Sequence, residues 1–361
     1  MTRLRGSTPE MMSRFSLLPA TLVALAVPAA AQQAARTLDM TRPEVIEFVA
    51  QMEREHGFDR QETVWILRDA VPQPRIVEIM QRPAEGTMAW WEYRDRFLTD
   101  ERIDGGVRVW REHREDLERV AEQSGVAPQY LVAITGVETF YGRNTGSYRV
   151  LDSLVTLAFD YPRRAEYFRR ELAQFLLLAR EERVDPRSLK GSYAGAMGIA
   201  QFMPSSYRHY AADGNGNGTR DLWNWNTDVF ASIANYFREH GWRRGEPVLA
   251  DARHDAPPDD PAKASSTLNE TVARIAARGY RFDTSLPGDA KAMLVPAAER
   301  NGTRWRVGFN NFYVITRYNR SHLYAMAVND LADAIEKRYR EAERPRPAGP
   351  HAPLVPPSSR E

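Results

Sequence analysis

The chain has 361 residues, 43% hydrophobic and 27% charged, enough for a sizeable core in one large or two modest domains. Its 49 Lys and Arg against 48 Asp and Glu leave a formal net charge of +1, so nothing marks a nucleic-acid-binding surface. The absence of cysteine excludes a disulfide framework and leaves no thiol for a lipid anchor. Aromatic residues make up 10% of the chain, with 8 Trp and 15 Tyr; a well-packed core and a sugar-stacking groove both account for them.

At the N-terminus, Arg3, Arg5 and Arg14 accompany an apolar run over residues 15–27, followed by Pro28-Ala29-Ala30-Ala31-Gln32. A basic start, a short apolar stretch and a small-residue end predict a secretory signal peptide over residues 1–31, cleaved after Ala31. The run is interrupted by Pro19 and falls short of the roughly 20 residues a membrane helix needs. An uncleaved N-terminal anchor is the competing reading. Cleavage removes three Arg and Glu10, a net +2, and leaves the mature chain at −1. No second apolar run is long enough to span a membrane, so the expectation is a soluble protein exported to the periplasm.

Residues 32–42 read as a flexible lead. From Pro43 to about Glu122 the pattern is helical: Val45, Phe48, Val49 and Met52 recur at helix spacing, as do Val64, Leu67 and Arg68. A second helical block runs from Pro128 to about Arg183, and another helix is predicted from Thr227 to His240, with Gly241 where a C-cap is expected. Residues 252–263 are rich in Pro and Asp and read as a surface loop. Leu268 to Ala277 reads as a short helix. Residues 293–295, 304–307 and 312–315 (Phe-Tyr-Val-Ile) read as short strands. Ser321 to Arg340 is again helical, and the Pro-rich tail from residue 342 is expected to be disordered.

Pro128 suits the first turn of a helix that continues to Glu138 and ends near Gly142. Glu138 lies one turn after Ile134 on an apolar stripe with Leu131, so it faces the interior, where desolvation raises a carboxyl pKa. A carboxyl that holds its proton near neutral pH is what a glycosidic general acid requires. On this segment alone a Glu paired with a buried Arg for structural reasons is the leading alternative, since structural ion pairs are common. Further on, Gly191-Ser-Tyr-Ala-Gly-Ala-Met-Gly-Ile-Ala-Gln-Phe-Met-Pro204 combines small residues, which let backbone approach a ligand, with the hydrogen-bonding groups of Ser192 and Gln201. A tight helix–helix contact is the alternative there.

Together these motifs resemble the membrane-bound lytic murein transglycosylase B family. The resemblance is carried by Gly136-Val137-Glu138-Thr139 with Tyr141-Gly142, by residues 148–152 and 159–164, by 191–198 and 201–206, and by Arg317-Tyr-Asn-Arg320 with Tyr324. It extends from about Val45 to Ile335. It implies a mainly α, α+β fold: a helical domain over residues 40–125, a lysozyme-like catalytic core over 126–247, a small α/β insertion over 248–315, and a return to the core and helical domain over 316–341.

The resemblance further implies cleavage of the bond between N-acetylmuramic acid (MurNAc) and N-acetylglucosamine (GlcNAc) in peptidoglycan, with Glu138 as the single acid and then base. The product carries a 1,6-anhydromuramyl end, and the chemistry needs no cofactor. Ser192 and Gln201 match residues that hold substrate, Tyr318 an active-site tyrosine, and Tyr324 a groove residue. Arg163 and Arg164 match a pair associated with the peptide stem, although a solvated helix face explains them as well; Tyr93 and Phe97 are further groove candidates. Asp152 and Asp160 are close in sequence, but the family uses neither as a partner carboxylate. A hydrolytic muramidase on the same fold and a non-catalytic peptidoglycan-binding protein are the rival readings.

Asp213-Gly-Asn-Gly-Asn-Gly-Thr-Arg-Asp221 is similar to the start of an EF-hand loop. Asp213, Asn215 and Asn217 offer side-chain oxygens and Thr219 a backbone carbonyl to a structural calcium ion. The twelfth position holds Asn224 instead of Glu. The family's later Asp corresponds to Asp228, with Asp221 as a fallback. Two Asn where the family often has Asp lower the charge, so affinity is expected in the range of roughly 10⁻⁴–10⁻³ M. A Gly/Asn turn without metal is the alternative.

Overall fold

The computed structural model describes residues 37–81, 88–254, 260–261, 265 and 267–344. The expected signal peptide lies outside them, as does the tail beyond Arg344. Helix α1 (Pro43–His56) opens on proline and buries Val45, Phe48, Val49 and Met52 before Gly57 turns left-handed. Asp59 caps α2 (Arg60–Leu67) by accepting the Glu62 N–H at 2.8 Å. Short helices α3 (Pro74–Gln81) and α4 (Trp90–Phe97) follow, then α5 (Asp100–Glu112) and α6 (Arg114–Ser124), which ends at left-handed Gly125.

Two helices are buried almost all round, as central helices must be. They are α7 (Pro128–Thr139) and α8 (Val150–Asp160), the latter entered from the two-residue strand β1 (Tyr148–Arg149). A 3₁₀ turn (Pro162–Arg164) leads to α9 (Ala165–Glu181). Strand β2 (Lys190–Gly191) pairs antiparallel with β1, placing Tyr148 opposite Gly191. Helices α10 (Pro204–Tyr210) and α11 (Thr227–Glu239) complete this half, with Asn226 capping α11 and Gly241 beyond its end at φ 87°.

The remaining chain builds an antiparallel sheet from β3 (Leu249–His254), β4 (Glu270–Thr271), β5 (Tyr280–Arg281), β6 (Lys291–Glu299) and β7 (Gly302–Gly308), in the order β4-β6-β7-β3-β5. Helix α12 (Val272–Ala277) sits between β4 and β5. Alternation along β6 sends Ala292 and Leu294 into a small core with Ile275, Tyr280, Trp305 and Phe309. Met293, Val295 and Ala297 point into the main core. The chain returns through α13 (Asn310–Tyr318) and α14 (His322–Glu343); α14 packs against α4, α5, α7 and α13. A buried, two-pronged ion pair from Arg306 on β7 to Asp330 on α14 (2.9 and 2.6 Å) ties sheet to helix.

Three expectations from the sequence need correction. Residues 312–315 are the body of α13, not a strand: Asn311, Phe312, Ile315 and Thr316 form a buried helical face. Asn311 anchors it by donating to the Arg243 and Glu246 carbonyls at 2.8 and 3.0 Å. Tertiary packing here overrides the β preference of an aromatic and β-branched run. The helix expected from Leu268 begins only at Val272, because Glu270 and Thr271 pair with β6. Helix α14 continues to Glu343, into the first residues of the expected tail.

Candidate active site

Glu138 stands in the last turn of α7, where the helix is stopped abruptly. Phe140 and Tyr141 both adopt left-handed backbone (φ 50° and 60°), rare for aromatic residues, and Gly142 follows at φ 79°. The reversal is held by the Tyr141 ring. Its hydroxyl donates to the Arg102 carbonyl at 2.7 Å, and a Cβ on Gly106 or on Gly136 would lie 2.7 Å from that hydroxyl. Two glycines in the middle of α5 are unfavourable for a helix, and this slot explains Gly106. Arg102 in turn donates to the Gly136 carbonyl.

Against the end of α7 lies the small-residue segment 191–202. It folds into a tight loop because Met197 and Phe202 bridge each other and Gly198, at φ 69°, lies where a Cβ would meet the Leu222 carbonyl at 2.4 Å. Thr139, immediately after Glu138, fastens this loop to α7: its hydroxyl lies 3.2 Å from the carbonyl oxygens of Ile199 and Thr135 and accepts the Gly142 N–H at 2.9 Å. Gln201 also has a left-handed backbone (φ 51°). Its amide donates to Gly198 O and Thr145 O at 2.8 and 3.1 Å, and among the described residues none donates to its side-chain carbonyl. The Ser192 hydroxyl oxygen accepts the Ala196 N–H at 3.0 Å and keeps its own proton to donate.

From the other side α13 and α14 bring two tyrosines. The Tyr324 hydroxyl donates to Glu138 Oε1 at 2.5 Å, and the Tyr318 hydroxyl donates to the Ala200 carbonyl at 2.7 Å. Their rings are near-parallel, 6.5 Å apart. Burial, followed by the nearby Glu138 carboxylate, pushes both phenols far above their ordinary range. Tyr93 on α4 is buried, tilted against Phe97 at 5.0 Å, and close enough to Tyr324 to add to that shift.

Glu138 itself is half-buried, with its carboxyl in a desolvated position that pushes its pKa up to about 7. The Tyr324 hydrogen bond, which favours the charged form, opposes this in part. Among the described residues no cation and no second carboxylate contributes, so the structural Glu–Arg pair that the sequence left open is not formed. The two carboxylates nearest in sequence are committed elsewhere: Asp152 to Arg149 at 2.7 Å and to the Val71 N–H at 2.9 Å, Asp160 to Arg42 at 2.7 Å.

The structure thus brings Glu138, Tyr318, Tyr324 and Tyr93 together and closes them against the loop that carries Ser192 and Gln201. Arg163 and Arg164 lie apart, exposed on the 3₁₀ turn after α8. That helix starts beside the 191–202 loop, and its eleven residues place the turn about 16 Å further along. Arg164 lies over the Tyr167 ring at 4.1 Å.

In the 213–221 loop, Asp213 accepts the N–H groups of Gly216, Asn217 and Gly218 at 2.7, 3.1 and 2.7 Å, and these hold its carboxyl below its ordinary range. Fully buried Asp228 accepts those of Gly214, Asn215 and Asp221 at 2.8, 3.3 and 2.9 Å. Asp221 instead caps Trp223 and Asn224. Among the described residues no group of three His, Cys, Asp or Glu could hold a metal, so any cation here needs amide and carbonyl oxygens as well. An all-oxygen set suits calcium, and a carboxylate has about four acceptor sites, so Asp228 keeps one beyond its three N–H partners.

Residues 41–333 match the family described as the transglycosylase SLT domain. Over 302 residues the chain is 41% identical to the membrane-bound lytic murein transglycosylase B of Escherichia coli strain K12, covering 81% of this chain and 82% of that protein. It superposes on the soluble lytic transglycosylase SltB1 of Pseudomonas aeruginosa with a TM-score of 0.77 and 47% identity, over 82% of this chain and 99% of that one. For the Escherichia coli lytic transglycosylase Slt35 in complex with calcium the TM-score is 0.76 at 40% identity, over 86% and 98% of the two chains. The fold is accordingly that of a lysozyme-like, mainly α enzyme. The chain belongs to the transglycosylase SLT family and is a peptidoglycan lytic transglycosylase.

Proposed function

We propose that Glu138 alone performs both proton transfers of a non-hydrolytic cleavage of the MurNAc–GlcNAc β-1,4 bond. The observation that carries this is a single desolvated carboxyl, pushed up to about 7, with one phenol donor and, among the described residues, no second carboxylate influencing it. Near neutral pH such a group is protonated often enough to act as acid and ionised readily enough to act as base. Two-carboxylate glycosidases need a partner across the bond for a nucleophile or an activated water.

In the first step Glu138 gives its proton to the glycosidic oxygen, and the C1–O bond breaks as GlcNAc leaves. The muramyl acetamido group shares the positive charge at C1. In the second step the muramyl C6 hydroxyl attacks C1, forming the C1–O6 bond, and its proton returns to Glu138. The acid is regenerated and no water is consumed.

Tyr324 orients the carboxyl, backed by Tyr93, and Tyr318 shapes the wall between Glu138 and Ala200. Ser192 and Gln201 offer a hydroxyl donor and a free carbonyl acceptor to acetamido and hydroxyl groups. Arg163 and Arg164 meet the carboxylates of a peptide stem further along the strand. Asp213, Asn215, Asn217, the Thr219 carbonyl and Asp228 would hold calcium, which would brace the loop leading into α11. The proposed setting is the periplasm; among the described residues no helix is long and apolar enough to cross a membrane. The division into helical domain (40–125), catalytic core (126–247), insertion (248–315) and return segment (316–341) is part of the same reading.

Mass analysis of muropeptides released from purified sacculi tests the reaction. Anhydromuramyl ends, lighter by one water than reducing ends, are expected; reducing ends alone would identify a hydrolytic muramidase and overturn it.

A further inference from the structure

Three large hydrophobic side chains are exposed among the described residues: Ile46, Trp65 and Tyr193. Trp65 has its face covered by the Arg187 guanidinium, 3.7 Å from the ring centroid. Among the described residues Tyr193 is an exposed aromatic with no ring, cation or hydrogen-bond partner, and it directly follows Ser192 in the loop that Thr139 fastens to the end of α7. An isolated exposed aromatic needs no explanation on its own. What distinguishes this one is the turn beneath it.

Ser192 O accepts the Gly195 N–H at 3.0 Å, closing a β-turn with Tyr193 and Ala194 at its centre. Ser192 N donates to Ala196 O at 2.8 Å behind it. The turn is clamped from below. A Cβ on Gly195 would lie 2.6 Å from Leu154, and one on Gly146 would lie 2.0 Å from the Gly191 carbonyl. Gly191 is also fixed by its pairing with Tyr148. A clamped backbone therefore presents an exposed aromatic ring next in sequence to a hydroxyl donor, so little backbone entropy remains to be lost on contact. The C–H face of a pyranose is an apolar surface of the size that such a ring covers.

We propose that Tyr193 is a stacking platform for a pyranose ring of the glycan strand, forming a subsite next to Ser192. This rests on the reading that the cleft at Glu138 is the cleavage site. The platform contributes binding without touching the reacting atoms, so its loss appears in KM rather than in kcat.

The test is steady-state cleavage of purified, uncrosslinked glycan strands. Tyr193→Ala is expected to raise KM roughly five- to tenfold, with Tyr193→Phe and Tyr193→Trp close to the parent. In the inactive background, Glu138→Gln with Tyr193→Ala is expected to bind the strands more weakly than Glu138→Gln by the same factor. An unchanged KM for Tyr193→Ala, or a Phe variant as impaired as Ala, overturns the subsite. Either result alongside an inert Glu138→Gln variant leaves the cleft reading standing. Turnover by Glu138→Gln would remove both.

Discussion

Glu138→Gln is expected to lose at least about 10³-fold in release of muropeptides from purified sacculi, because one group serves as both acid and base. Gln has the same shape and can still accept the Tyr324 hydrogen bond, but it cannot give or take the proton. The substitution also changes stability, with a definite sign. The carboxyl titrates near 4.5 when solvated and at about 7 in the fold. Between those values the folded state holds a proton that the unfolded state releases, so this residue's contribution falls as pH rises. The penalty is absent below about pH 4.5 and complete above about pH 7, where it is on the order of 3 kcal/mol. Glu138→Gln is therefore expected to melt several degrees above the parent at pH 8 and alongside it at pH 4. A variant that is inactive but no more stable at pH 8 would mean that the carboxyl is better solvated than its surroundings indicate.

Asp228→Ala carries the second large effect, on stability. Its carboxylate is fully buried and accepts three backbone N–H groups from residues 214, 215 and 221. Alanine leaves those donors without an acceptor at a cost of about 4 kcal/mol, a drop of roughly 10 °C in melting temperature. Asp228→Asn keeps one oxygen and loses the charge, so its loss is about half as large. If the loop holds calcium, chelation lowers the melting temperature of the parent and leaves Asp228→Asn unmoved. Equal responses of the two proteins to chelator would sink the calcium assignment without touching the hydrogen-bond account.

The helices were legible in the sequence because their signals are local. Pro128 at a first turn, Gly241 beyond an end, and the 3.6-residue stripe of α1 all act within a few residues. The strand misread at 312–315 shows the limit: Phe, Val and Ile there pack against neighbours that only the fold supplies. In the active site, Glu138 was legible as an inward carboxylate, but not that no described residue supplies it with a partner cation, since that depends on what the rest of the chain places nearby. Thr139 and Tyr141 carry no sign of their work as fasteners. The one hint is Gly105-Gly106 inside a helix, a pair that intrinsic propensity disfavours and a ring inserted between helices requires. Tyr324 entered through a family motif alone, because 186 residues separate it from the carboxyl it holds.

The proton held by Glu138 is observed directly by carbon NMR titration of its carboxyl, assigned by the signal lost in Glu138→Gln. A midpoint near 7 is predicted, moving higher in Tyr324→Phe because the phenol favours the carboxylate. A midpoint at or below 4.5 would show an ordinary, solvated acid and contradict the proposed chemistry.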